Sequence, residues 1–104
     1  MSAGFVPDRG DLIRLTLPEL SAVVLSPRAY NDKVGYALVC PITRKGKGYP
    51  WEVALPFGLP ISGAVLSDRL KSLDWRSRSA DKIGSLPPRT VAEILGKLNA
   101  LLSF

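Results

Sequence analysis

Pro41-Ile42-Thr43-Arg44-Lys45-Gly46-Lys47-Gly48-Tyr49-Pro50-Trp51-Glu52-Val53 runs from the end of an apolar segment, through a basic loop, to the start of another apolar segment. Arg44, Lys45 and Lys47 fall within four positions, and the nearest acid in sequence is Glu52. Such a loop is not neutralised locally, and its natural partner is a polyanion. Gly46 and Gly48 allow tight turns and let backbone approach a ligand with no Cβ in the way. Tyr49 and Trp51 lie two apart, so an extended chain puts both rings on one face, where they can stack on unpaired bases. The commoner alternative is a solvated hairpin between two strands, with its aromatics turned back into the core. Both alternatives require strands on either side of the loop.

Those strands are legible. Residues 36–42, with Val39 and Cys40, read as a central, mostly buried strand, and residues 51–55 alternate as the strand after the loop. Upstream, Ile13, Leu15 and Leu17 alternate with Leu12, Arg14 and Thr16, so residues 11–17 read as a half-buried strand with the Ile13 face inward. Pro18-Glu19-Leu20-Ser21 then leads to an apolar strand over residues 22–26, ended by Pro27. Residues 27–35, containing Asn31-Asp32-Lys33, read as a loop. Downstream, Pro56-Phe57-Gly58-Leu59-Pro60 breaks regular structure. Residues 61–67 and 70–75 read as short strands, and the polar residues 77–83 as a last one. Pro88 suits a first helical turn, after which Val91, Ile94, Leu95, Leu98, Leu101 and Leu102 recur at three and four. Gly96 inside this helix costs about 1 kcal/mol relative to alanine, which packing on a sheet must offset. Short antiparallel strands followed by one amphipathic helix give a mainly β chain: a twisted sheet or barrel with a helix against it.

At 104 residues the chain fits one domain, 1–104, with a single modest core. No stretch is apolar for the length a bilayer requires, and residues 1–7 lack the pattern of a signal peptide, so a cytoplasmic protein with no membrane partner is expected. Histidine is absent, which removes Ser-His and Cys-His catalysis and histidine-bearing metal sites. Cys40 has no internal disulfide partner and is expected to be a small buried hydrophobe. With dispersed carboxylates and no histidine, neither a metal nor a cofactor is expected. Net charge is +5. Between Thr43 and Lys82, eight cations (Arg44, Lys45, Lys47, Arg69, Lys71, Arg76, Arg78 and Lys82) meet only four acids, which places most of the excess here and favours phosphates or an acidic protein as partner.

The opening stretch and its flanks resemble the MazF/PemK family of toxin endoribonucleases, whose members carry a Pro-x-Thr segment and then a Lys-Gly-Tyr-Pro-aromatic-Glu-Val run. The match continues in Phe5-Val6-Pro7-Asp8-Arg9-Gly10-Asp11-Leu12-Ile13, in Ala22-Val23-Val24-Leu25-Ser26-Pro27 with Tyr30-Asn31 behind it, and in Asp68-Arg69-Leu70-Lys71-Ser72-Leu73-Asp74-Trp75-Arg76. Several blocks in the same order cover most of the chain. The resemblance implies an SH3-like barrel of the MazF/PemK/CcdB type with a C-terminal α-helix. It also implies a homodimer with single-stranded RNA in a groove across the interface, silenced by an acidic antitoxin segment in that groove. The implied activity is that of a type II toxin: a sequence-specific, single-strand-specific, metal-independent endoribonuclease leaving cyclic phosphate and 5'-OH ends.

Carried over residue by residue, Thr43 matches the family's catalytic threonine. Asp68 matches an acid that some relatives use in catalysis, although the arginine those relatives carry two positions earlier is Leu66 here. The residues expected to hold RNA are Arg14, Arg44, Lys45, Lys47 and Arg69 through phosphates and Tyr49 and Trp51 through stacking. The relatives have a longer, glycine-rich loop between the first two strands, with a glutamate and an arginine that stabilises the reacting phosphate. Four residues do the connecting here, and that arginine has no counterpart; Arg14, Arg44 and Arg69 are the substitutes the sequence offers. Two alternatives therefore stay open beside the nuclease: an RNA- or antitoxin-binding variant without turnover, and a CcdB-like gyrase poison.

Overall fold

The computed structural model describes residues 5–16 and 18–103. Its elements are β1 (Asp11–Leu15), β2 (Leu20–Val24), α1 (Arg28–Val34), β3 (Ala37–Thr43), β4 (Glu52–Ala54), β5 (Ala64–Leu66), a 3-10 turn (Ser67–Arg69), β6 (Lys71–Leu73), β7 (Asp81–Ser85) and α2 (Pro88–Leu102). The strands form one antiparallel sheet in the order β4-β5-β3-β2-β1-β7, with β6 joined to β3 off this path.

β3 is the hub. One edge pairs with β2, Val23 opposite Cys40. The other edge is shared: β6 takes its first half, Ala37 opposite Leu73, and β5 takes its end, Thr43 opposite Ala64. The sheet therefore splits along that edge, and the 3-10 turn bridges the split. Thr43 closes one strand of the split and Asp68 and Arg69 sit on the bridge.

Both faces of the central strands are buried, which is why their sequences run almost continuously apolar. Leu12, Val23, Leu25 and Cys40 point to one side and pack with Val53, Val65, Leu86 and, from α2, Val91 and Ile94. Ile13, Leu15, Ala22, Val24, Ala37 and Val39 point to the other and pack with Leu73, Trp75 and Ala80. Period-two reasoning assigned β1 a single inward face; the structure buries Leu12 as completely as Ile13 and Leu15, because α2 covers the side expected to face water. Leu17, expected on the inward face, lies outside the described residues. On α2, Val91, Ile94, Leu95 and Leu98 meet the sheet as their spacing requires, whereas Leu101 and Leu102 overrun the sheet edge and stay exposed. Burying Ile94 completely is worth about 2–3 kcal/mol, enough to outweigh the glycine at 96.

The segment read as a loop over residues 27–35 contains a helix, α1, ended by Gly35 at φ 77. It is held by its one buried residue. Asn31 donates from Nδ2 to the carbonyls of Pro7 (2.8 Å) and Ser26 (3.0 Å), and the Trp75 indole N–H donates to the Asn31 carbonyl at 3.2 Å. Of the polar segment expected as a last strand over residues 77–83, only the end is one: residues 77–79 belong to a turn, and β7 (Asp81–Ser85) pairs with β1, Asp11 opposite Ser85. Leu15 pairs with Leu20, and β2 begins two residues before its expected start. Among the described residues, no helix is long and apolar enough to cross a membrane.

Candidate active site

Thr43, Lys45, Lys47, Tyr49, Trp51, Glu52, Leu66, Asp68 and Arg69 line a cleft of ≈ 180 Å³ where the β3 end, the basic loop and the 3-10 turn converge. Three features of the backbone build it. Gly63, at φ 131, lies so close to the Thr43 carbonyl that any Cβ there would overlap it, which lets β5 register against the last residue of β3. Ser67 is wholly buried and its N–H donates to the Trp51 carbonyl at 3.2 Å, fixing the turn that carries Asp68 and Arg69 against the aromatic corner. The Glu52 N–H donates to the Tyr49 carbonyl at 3.0 Å, closing a turn around Pro50.

That last turn changes how the two rings come together. Tyr49 and Trp51 share a face as expected, but through the turn and not through an extended chain. They stack on each other with centroids 4.8 Å apart and planes 15° from parallel. Tyr49 is exposed and Trp51 half-buried, so the pair presents one free aromatic surface while the tryptophan anchors it. From α2, the Lys97 ammonium donates to the Pro50 carbonyl and ties the corner to the helix.

Thr43 is half-buried at the cleft wall. Its Oγ1 accepts the Lys45 N–H at 3.3 Å, which leaves the hydroxyl proton to be donated elsewhere. Asp68 is exposed and, among the described residues, has no cation within ion-pairing distance, nor has Arg69 a carboxylate. Behind Asp68, the Cys40 thiol points at the Ser67 carbonyl, Sγ–O 3.9 Å. Burial pushes this thiol up to about 11, with the Asp68 charge adding to the effect, so Cys40 is a neutral core residue and no nucleophile.

Seven of the nine residues singled out in the sequence meet in this one cleft. The other two do not. Arg14 is exposed on β1, away from the cleft. Arg44 lines a different hollow, with Glu19, Leu20, Ser21, Ile42 and Ile61, since consecutive side chains at a strand end point to opposite sides. Glu52 and Leu66 were missed. Glu52 carried a signal, being the one acid beside three cations. Leu66 joins only through its pairing with Glu52 across β4 and β5. A larger hollow, of ≈ 310 Å³, lies beside Phe5, Trp75 and Arg76, but its guanidinium is already engaged, stacked on Trp75 and donating to the Asp32 carbonyl at 2.6 Å.

Comparison with known proteins places this geometry. Residues 5–102 match the family described as the PemK-like, MazF-like toxin of type II toxin-antitoxin systems. The endoribonuclease toxin MazF of Escherichia coli (strain K12) is 40% identical over 111 residues, covering 98% of this chain and 99% of its own. That span exceeds the chain's 104 residues, so the relative carries residues with no counterpart here. Among solved structures, a MazE-MazF complex from Deinococcus radiodurans superposes with a TM-score of 0.92 at 48% identity, covering 96% of this chain and 99% of that one. MazF from the same organism superposes at 0.90 with 45% identity, covering 96% and 99%. The mainly β arrangement with a C-terminal helix is thus the fold of these neighbours.

Proposed function

Since the chain belongs to the PemK-like, MazF-like toxin family of type II toxin-antitoxin systems, we propose that it is a toxin endoribonuclease which cuts single-stranded RNA at chosen sequences in the cytoplasm. The observation that carries this reading is the meeting of Thr43, Asp68, Arg69, Lys45 and Lys47 with an exposed aromatic stack in one cleft. The rings take an unpaired base, the lysines take flanking phosphates, and the scissile phosphate lies against Thr43.

In the reaction, the ribose 2'-oxygen attacks the adjacent phosphorus while the Asp68 carboxylate takes its proton. The Thr43 hydroxyl donates to a non-bridging oxygen, and Arg69 offsets the charge that builds up as the new P–O bond forms. The bond to the 5'-oxygen then breaks. A proton returned by the Asp68 acid gives a 5'-OH, opposite a cyclic phosphate. The chain acts as a single domain, needs no cofactor, and pairs with a second copy through the exposed apolar residues Tyr36, just before β3, Leu38 on β3 and Leu70, just before β6. An acidic antitoxin segment would silence it by filling the same cationic cleft, consistent with MazE-MazF complexes among the structural neighbours.

One observation supports a second reading. Leu15 pairs with Leu20, and the four residues between them in sequence, Thr16-Leu17-Pro18-Glu19, include no arginine, so the chain would bind RNA or antitoxin without cutting if Arg69 does not supply that charge. The test is incubation with a long unstructured RNA in the presence of a chelator, followed by mapping of the 5' ends. Discrete 5'-OH ends that disappear in Thr43→Ala are expected. Intact RNA that is nonetheless shifted on a native gel would establish the binding module instead.

A further inference from the structure

Glu52 lines the cleft but has no part in the chemistry above, and its hydrogen bonds indicate another task. One oxygen, Oε1, accepts the backbone N–H of Lys47 at 2.9 Å and that of Gly48 at 3.0 Å. Two successive amides converging on one anion form a nest, which Gly48 reaches with φ 77. The backbone at Gly46 lies against the same atom, where a Cβ would stand 2.9 Å from Oε1. Glu52 itself is fixed on β4, opposite Leu66 of β5. The loop is also tied at its start, by the Lys45 N–H on Thr43 Oγ1.

From these contacts we infer that Glu52 is a positioning residue, clamping the backbone of residues 46–48 so that Lys45 and Lys47 are presented beside Thr43. The ligand presented to them rests on the ribonuclease reading; the clamp does not. A carboxylate in a phosphate-binding cleft acts in two opposed ways, since its oxygen holds the basic loop while its charge repels the ligand that loop attracts. Chemistry separates the two. Glutamine keeps an acceptor oxygen in place without the charge, and alanine removes both.

The experiment compares the full chain with Glu52→Gln and Glu52→Ala. Without RNA, amide chemical shifts and exchange of Lys47 and Gly48 should be retained in Glu52→Gln and lost in Glu52→Ala. With a fluorescent single-stranded oligoribonucleotide at low salt, Glu52→Gln should bind about two- to fivefold more tightly, an advantage that fades as salt screens the charge. Glu52→Ala should bind about tenfold more weakly, with KM raised more than kcat is lowered. Unchanged Lys47 and Gly48 amides in Glu52→Ala, or lost ones in Glu52→Gln, would overturn the clamp. So would Glu52→Gln cutting a hundredfold more slowly with binding intact, which would make Glu52 a proton acceptor. If the unaltered chain neither binds nor cuts RNA, the ribonuclease reading fails, and the amide comparison still decides the clamp.

Discussion

Thr43 reaches the cleft because Gly63 makes room for its carbonyl, so the glycine and the threonine act as a pair. At φ 131 an L side chain is strained, and the Cβ of alanine would overlap the Thr43 carbonyl oxygen, backbone that cannot rotate away. Gly63→Ala should therefore cost about 2–4 kcal/mol in urea unfolding, and cleavage should fall more than the folded fraction does, since the hydroxyl moves with its strand. Equal losses would mean that the glycine serves stability alone. Cys40 makes a different prediction. Its thiol is raised to about 11 in the folded chain against 9.0 for an ordinary cysteine. A neutral form favoured by folding means that the unfolded chain ionises first, so this thiol's contribution to stability is constant below about pH 9 and declines as pH rises toward 11. A urea midpoint series should show this decline, and Cys40→Ser should lessen it. The native thiol should also resist a disulfide reagent at pH 8, where a surface cysteine reacts at once.

What an element buries decides how plainly it can be read from sequence. α2 was legible because its apolar positions recur at helical spacing and four of them meet the sheet. Gly96 sits on its outer side with open space where a Cβ would go, so Gly96→Ala should stabilise the chain by about 0.5–1 kcal/mol and raise the melting temperature with no change in cleavage. α1 was not legible, because seven residues are too few for a period and its stability comes from bonds made by Asn31 to Pro7 and Ser26. Those partners are distant in sequence or outside any pattern. The β1 face shows the same limit. Alternation identified a strand, but only tertiary packing of α2 could bury Leu12 as well as Ile13. At the site, residue types and order pointed to the lysines and the aromatic pair, and the family resemblance to Thr43, and the structure brings these residues to one cleft. The side of the strand end on which Arg44 lies, and the turn that stacks the rings, required coordinates.

At the scale of the molecule, charge placement separates cations left open to a polyanion from cations engaged within the fold. Lys82 is paired with the buried Asp11 at 3.3 Å, and Arg76 with Asp32 and the Trp75 ring, so neither is available to a phosphate without losing a partner. Lys45, Lys47 and Arg69 line the cleft, and none of them is among the ion pairs of the described residues. Each phosphate neutralised on a single strand releases counterions and adds about 0.7 to the slope of log affinity against log salt. Replacing Lys45, Lys47 or Arg69 by alanine should therefore flatten that slope by about 0.7 each, and replacing all three by about 2. Lys82→Ala and Arg76→Ala should weaken folding while leaving the slope unchanged. Arg44 distinguishes two paths for the RNA. A strand confined to the Thr43 cleft leaves the slope of Arg44→Ala unaltered, whereas one that crosses the end of β3 into the neighbouring hollow adds Arg44 to the set. A slope unmoved by Lys45, Lys47 and Arg69 together would take the RNA out of this cleft altogether, because no ligand neutralised there can ignore the loss of its three free cations.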